Sequence, residues 1–303
     1  MSKSKLSNAG LVTNGLLLIT AVVSIAATQK TAFFSKRVVS DTGLQQVQFD
    51  TAMLTLTGLH QLDATDVPAI TMNKQAKAFV TNYISRNGDD LERIKENKAA
   101  TLAIIDEVFT KYGLPLELKY LAVVESELNT KALSRVGARG AWQLMPETAR
   151  LLSLKVTKRN DERTHLYKST VAAAKYLRDL YRIFGDWTLV IAGYNSGPGR
   201  VLSAIKRSGS RNFWKLQYHL PAETRGHVKR FIGTHYFFEG KGSVTTLTKQ
   251  EVVAYRKTMQ AFVAKQNAIL RERQEAAIDS AASNTEVIAQ TITPVTIKGV
   301  NEK

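Results

Sequence analysis

Residues 114–129 read LPLELKYLAVVESELN. Pro115 stands where a helix can start, because proline lacks only an N–H that the first turn leaves unpaired anyway. Leu114, Leu118, Leu121 and Ala122 then fall on one stripe at helical spacing, and the next position on that stripe is Glu125. At about 100° per residue, Glu125 lies within the arc of Leu118, Leu121 and Ala122, while Glu127 lies on the opposite side. One carboxyl is aimed at apolar surroundings and its neighbour at water. A carboxyl in an apolar pocket resists ionisation, as a general acid working near neutral pH requires. Spacing alone favours a plainer reading, in which Glu125 closes the stripe at a solvated helix edge. The motifs further along the chain reverse that preference.

Composition sets the outer bounds. The chain has 303 residues, 44% of them hydrophobic, enough for one large or two small domains with a sizeable core. Its formal charge of +16 points to a polyanionic partner such as nucleic acid, acidic lipid or an acidic wall polymer. The chain contains no cysteine, which excludes disulfides, a lipoprotein anchor and zinc-finger spacing. Lys3 and Lys5 precede an uncharged stretch whose apolar centre runs from Leu16 to Ala27, with small residues at Ser24 and Ala26. Residues 1–27 therefore read as a signal peptide or an uncleaved membrane anchor, and the expected location is the periplasm or cell envelope.

The remainder reads as helices separated by glycine and proline signals, with no strand alternation before residue 285 and no internal repeat. The division expected is a linker with N-terminal helices over 28–104, a catalytic domain over 105–240, and a C-terminal helix and tail over 241–303. Within 74–111 a break is expected at Asn87-Gly88, and Tyr112-Gly113 closes the helix before Pro115. The glycines of Ser134-Arg135-Val136-Gly137-Ala138-Arg139-Gly140 permit a tight turn or close approach to a ligand. Pro146 leads into a helix ending near Leu152. Residues 161–170 read as loop, with Ser169 capping a helix that Gly185 ends. Asp186 or the next residue starts a further helix, which runs into Asn195-Ser196-Gly197-Pro198-Gly199. That glycine-rich turn matches neither the dinucleotide fingerprint nor the P-loop spacing. A last helix of this unit starts after Pro221 and runs to about Phe238.

With these pieces in order, the chain resembles the lytic transglycosylases with a soluble-type (SLT) catalytic domain, and within them the membrane-bound lytic murein transglycosylase D group. The carrying residues are Glu125-Ser126 in VVESELN, residues 137–145 as GARGAWQLM, residues 192–199 as AGYNSGPG, and residues 221–225 as PAETR. Their order and spacing together are far more specific than any one of them. The resemblance implies an all-α, lysozyme-like domain with flanking helices. It implies cleavage of the β-1,4 bond between N-acetylmuramic acid and N-acetylglucosamine in peptidoglycan without water, leaving 1,6-anhydromuramic ends. It makes Glu125 the single catalytic acid and base. It assigns Ser126, Gln143, Met145, Tyr194, Asn195 and Glu223 to substrate binding or support of the site. No cofactor and no metal are expected, and the expected partner is the peptidoglycan strand, bound by a monomer without nucleic acid. Members of the group often have tyrosine at the position of His227, and often carry C-terminal LysM modules; the residues after Gly240 show none.

One carboxyl suffices for this chemistry if the substrate's N-acetyl group and its own C6 hydroxyl do what a second carboxylate and a held water do elsewhere. Asp161, Glu162 and Asp186 are the other acids of interest in the domain, and their loop or capping contexts read as solvated. Trp142, Trp187 and Trp214 could stack on sugars but read more naturally as core, Trp187 most clearly. His227 and His235 are too far apart along a helix to pair on a metal. The rival readings are a hydrolytic muramidase of the same fold and a non-catalytic peptidoglycan-binding scaffold. A nucleic-acid binder is disfavoured by the export signal and the lack of any nucleic-acid motif.

Overall fold

Caps and apolar spacing set where each helix begins and ends. The computed structural model describes residues 67–291, with side chains through residue 279. The signal or anchor at 1–27, most of the linker, and the last part of the tail lie outside the described residues. Helix α1, Lys74–Asn97, is capped by Asn73, whose side chain accepts from Gln75 N at 2.9 Å. It runs straight through the expected break at Asn87-Gly88. Asn87 returns its amide to Tyr83 O at 2.7 Å, and the Phe237 ring lies 3.9 Å from where a Gly88 Cβ would be. Packing overrides a local penalty of about 1 kcal/mol for the glycine. Helix α2, Ala99–Tyr112, ends on Gly113 at φ 65°, the expected stop.

The deciding stretch is built in two parts. A 3-10 turn, Leu116–Lys119, leads into a short helix α3, Tyr120–Ser126. It does not continue to Asn129, because Glu127 and Leu128 turn left-handed at φ 55° and 63°. Helix α4, Pro146–Leu151, begins on proline as expected. After a 3-10 turn at Glu162–Thr164 comes α5, Leu166–Phe184, which starts earlier than the sequence suggests. His165 rather than Ser169 is its N-cap, and Ser169 sits buried inside, its hydroxyl donating to His165 O at 3.0 Å. Then follow α6, Trp187–Ser196, α7, Pro198–Ser208, and the short α8, Phe213–Leu216. Helix α9, Ala222–Glu239, closes on Gly240, and α10, Lys249–Thr291, reaches past the Ile278 limit of the sequence pattern. Among the described residues there is no strand, only isolated bridges such as Arg139 with Leu144.

Helix α6 is the axis of the core. Every residue from Trp187 to Gly193 is buried, the mark of a helix covered on all sides. It packs against α5, α7 and α9, while α9 also packs on α3 and α1. The close approaches are made at glycine. A Cβ at Gly193 would stand 2.9 Å from Phe184 Cε2, and one at Gly233 would stand 2.7 Å from Tyr83 Cδ1. The three tryptophans are core: Trp142 packs on Phe109 and donates to Thr170 Oγ1 at 2.9 Å, Trp187 stacks on Tyr181, and Trp214 donates to Glu251. The helices before residue 105 therefore pack on the domain that follows. Among the described residues no helix is long and apolar enough to cross a membrane.

Asp186 corrects one expectation. It is not solvated but 4% exposed. One oxygen caps α6 through Thr188 N at 2.9 Å and Thr188 Oγ1 at 2.6 Å, while the other accepts from Lys249 N at 2.7 Å and so fastens the start of α10. Burial is tolerated because these donors replace water. Asp186→Ala is expected to lower stability by about 2 kcal/mol in urea unfolding, combining a lost N-cap with a lost crosslink.

Candidate active site

Glu125 occupies the last turn of α3, where the helix stops short. The left-handed pair Glu127 and Leu128 turns the chain away at once, so the end of α3 opens toward the surface while Leu121 and Ala122 behind it are fully buried. The Glu125 side chain is 14% exposed, and Glu127 is exposed, as the stripe predicts. The surroundings are not purely apolar. Glu125 Oε1 lies 2.9 Å from Nε2 of His227, a side chain of α9 that is 2% exposed. Oε2 makes no hydrogen bond among the described residues. From α6, Tyr194 comes within electrostatic reach of the same carboxyl.

The loop over residues 137–145 is held by groups the sequence does not advertise. Arg163, 5% exposed, donates to Gly137 O at 2.7 Å and to Leu144 O at 2.9 Å. The rest of its guanidinium forms a two-point pair with Asp161, at 2.9 and 2.7 Å. Arg139 and Leu144 exchange backbone hydrogen bonds at 3.1 and 3.2 Å, and Gly140, at φ 82°, passes so close that a Cβ there would stand 2.0 Å from Arg163 O. The loop in turn receives the site. Ser126 Oγ donates to Ala141 O at 2.8 Å, and Tyr194 Oη donates to Trp142 O at 2.7 Å. Gln143, at φ 45°, turns its amide back onto Gly140 O at 2.9 Å, which leaves its side-chain oxygen available as an acceptor.

The predicted site residues fall into two groups. Glu125, Ser126, Gln143, Tyr194 and Asn195 are linked through these bonds and through Thr224, whose hydroxyl donates to Asn195 Oδ1 at 2.8 Å and leaves the Asn195 amide free to donate outward. Met145 and Glu223 are instead exposed and make no polar side-chain contact among the described residues. Met145, 38% exposed, is the N-cap residue of α4, just after the loop. Glu223 lies in the first turn of α9, one helical turn before His227 and on the same face. Arg163 and Thr224 escaped the sequence reading because both act by holding other groups. The only signal for Arg163 was a charge in an otherwise polar loop.

Titration follows this geometry. Burial pushes the Tyr194 hydroxyl well above the usual tyrosine range, reinforced by the charge of Glu125 and by Tyr176, so it stays a proton donor. The Arg163 hydrogen bond holds Asp161 below the ordinary aspartate value. Glu162 is also lowered, by Lys168 at 2.6 Å and by Lys155 N at 2.8 Å. Both acids are shielded and paired rather than solvated as expected, since fixed donors stand where water would be.

A family model described as "Transglycosylase SLT domain" matches residues 104–217. The chain carries a transglycosylase SLT domain. The all-α architecture with flanking helices expected for it is the one the described helices build. The chain is similar to membrane-bound lytic murein transglycosylase D of Escherichia coli (strain K12), at 42% identity over 127 residues, 40% of this chain and 28% of that protein. It is also similar to the soluble lytic murein transglycosylase of Salmonella typhimurium (strain LT2), at 29% identity over 145 residues, 44% of this chain and 22% of that one. Among solved structures, the 70-kDa soluble lytic transglycosylase of Escherichia coli aligns with 24% identity and a TM-score of 0.45, over 58% of this chain and 31% of that one. The chain thus spans less than a third of each of these relatives. The SLT match ends at residue 217, so His227 and the rest of α9 lie beyond it.

Two outcomes test the loop. Gly140→Ala is expected to cost at least about 2 kcal/mol, because the backbone conformation and the approach to Arg163 both forbid a side chain, whereas Gly137→Ala, with open space around it, costs only the conformational part of about 1 kcal/mol. Urea titration of both variants reads the difference. Because the folded value of Asp161 is depressed, its pair with Arg163 contributes stability above the ordinary aspartate range and loses it as pH falls through the folded value. Thermal melting as a function of pH should show this acid-side loss in the wild type and a much smaller one in Arg163→Met, which is less stable at neutral pH by about 3 kcal/mol.

Proposed function

We propose that the protein is an exported lytic transglycosylase that cleaves peptidoglycan strands at the N-acetylmuramic acid–N-acetylglucosamine β-1,4 bond, with Glu125 as its one catalytic acid and base. The observation that carries this reading is the partly buried carboxyl of Glu125 at the end of α3, around which the loop 137–145, α6 and α9 gather their polar groups. The SLT domain and the murein transglycosylases it resembles supply the substrate class.

Neutral Glu125 gives its proton to the glycosidic oxygen from Oε2, and the C1–O bond breaks. The carbonyl of the substrate's own N-acetyl group stabilises the positive charge at C1. The carboxylate then takes the proton of the C6 hydroxyl, whose oxygen bonds to C1 and closes the 1,6-anhydro ring. The attack is intramolecular, so proximity replaces a held water. The engagement of Asp161, Glu162 and Asp186 with fixed partners supports a one-carboxylate route, because none of them is available as a second base. Gln143 and Asn195 offer an acceptor and a donor for sugar hydroxyls and acetamides, Met145 offers apolar surface, Ser126 fixes the Glu125 turn to the loop, and Glu223 flanks the site on α9. An N-terminal signal or anchor holds the enzyme in the cell envelope in this reading, and the domain works as a monomer without a cofactor.

Mass spectrometry of purified peptidoglycan digested by the wild type and by Glu125→Gln tests the proposal. Anhydro-ended fragments from the wild type, with the variant at least a thousandfold slower, are expected, since the only acid and base is gone. Reducing ends would establish the muramidase instead, and binding without products would establish the scaffold.

A further inference from the structure

The contact between Glu125 and His227 has a direction that the burial of the imidazole dictates. Nδ1 of His227 is buried with no hydrogen-bond partner among the described residues. Three proton placements are open to the ring. With a hydrogen on Nδ1 alone, a donor is stranded in the interior, and Nε2 can only accept. With hydrogens on both nitrogens, a buried charge is added to the same stranded donor. With the hydrogen on Nε2 alone, the ring donates to Oε1 across 2.9 Å and leaves only an idle lone pair at Nδ1. Stranded buried donors are the rarer and costlier defect, and a bond to a carboxylate is the stronger kind.

The other groups near the pair do not compete. From α6, the Tyr194 hydroxyl spends its hydrogen on Trp142 O. From α1, Tyr83 has its hydroxyl on Thr234 Oγ1 at 3.1 Å and lies within electrostatic reach of Glu127 and Arg230 rather than of Glu125. Just past α3 Glu127 is exposed, and on α9 Glu223 and Arg230 lie about one turn to either side of His227. His227 is therefore the sole hydrogen-bond partner of the Glu125 carboxyl among the described residues.

We infer that His227, as a neutral imidazole with its hydrogen on Nε2, is a positioning residue that tethers Oε1 of Glu125 and so confines the transferable proton to Oε2. This rests on the proposed transglycosylase reading. The donor serves both halves of the cycle. It fixes the rotamer of the neutral acid, and it strengthens as the carboxyl ionises on giving up its proton, which is when stabilisation accelerates the reaction. A tyrosine hydroxyl at this position could make the same bond, but it can rotate to donate or accept. The ring with a buried bare Nδ1 can only donate while neutral.

The test uses the full-length chain and three measurements. His227→Phe, which removes the donor, is expected to lower kcat roughly ten- to hundredfold with KM little changed. His227→Gln, which keeps an N–H of similar reach, recovers most of that loss. Nitrogen-15 NMR of histidine-labelled wild type should show Nε2 protonated and Nδ1 bare near neutral pH. A Phe variant as fast as the wild type, a Gln variant as slow as Phe, or a hydrogen on Nδ1 would each overturn the inference. A wild type that releases no glycan fragments would defeat the proposed function instead, and the NMR tautomer would still decide the orientation of the pair.

Discussion

The guanidinium of Arg163 is the interaction on which the site depends. It is almost wholly buried, and a buried cation persists only when fixed acceptors meet its hydrogens. Here those acceptors are the Asp161 carboxylate and the carbonyls of Gly137 and Leu144, the two shoulders of one loop. The charge thus converts a glycine-rich segment, which has high intrinsic freedom, into a rigid frame. Ser126 and Tyr194 then bond to carbonyls of that frame, and through them the ends of α3 and α6 are held in register. The site is assembled mostly from side chains gripping backbone oxygens. Such grips specify position well, because a carbonyl in a fixed loop has no rotamers of its own.

Strain collects where this frame meets the candidate catalytic turn. The non-glycine residues with positive φ among those described are Glu127, Leu128, Gln143 and Ser153, and the first three flank the site. Each left-handed residue costs on the order of 1 kcal/mol or more and survives only under strong constraint from its neighbours. Leu128 is buried and Gln143 is bonded to Gly140, so the constraint is visible at both places.

Much of this was legible in the sequence, and the limits have physical causes. The stripe ending at Glu125 announced a helix with a partly buried carboxyl in its last turn, because periodicity records which face meets the core. The stops at Gly113 and Gly185 were equally readable, since a left-handed cap favours glycine. The termination of α3 at Ser126 was not, because Glu127 and Leu128 carry no local signal for a conformation that tertiary contacts impose. The continuity of α1 through Gly88 and the fixed partners of Asp161, Glu162 and Asp186 were misread for the same reason. Whether a charged side chain faces water or a partner is decided by residues distant in the chain, such as Lys249 for Asp186. The bond between Glu125 and His227 joins residues 102 positions apart and could be suspected only from the resemblance, as a departure from tyrosine.

The fit of α9 against α1 at Gly233 has a consequence for what counts as the unit of inheritance. The SLT match spans residues 104–217, yet the wall that brings His227 to Glu125 is α9, and α9 is seated on α1 with no room for even a methyl group between Gly233 and Tyr83. The segment the family model spans is therefore smaller than the segment that walls the candidate site. A chimera that transplanted residues 104–217 alone would carry its carboxyl into the new host with one flank bare. Any drift at position 233 toward a larger residue would have to be matched by shrinkage at position 83, so two sites far apart in the chain are free to change only together.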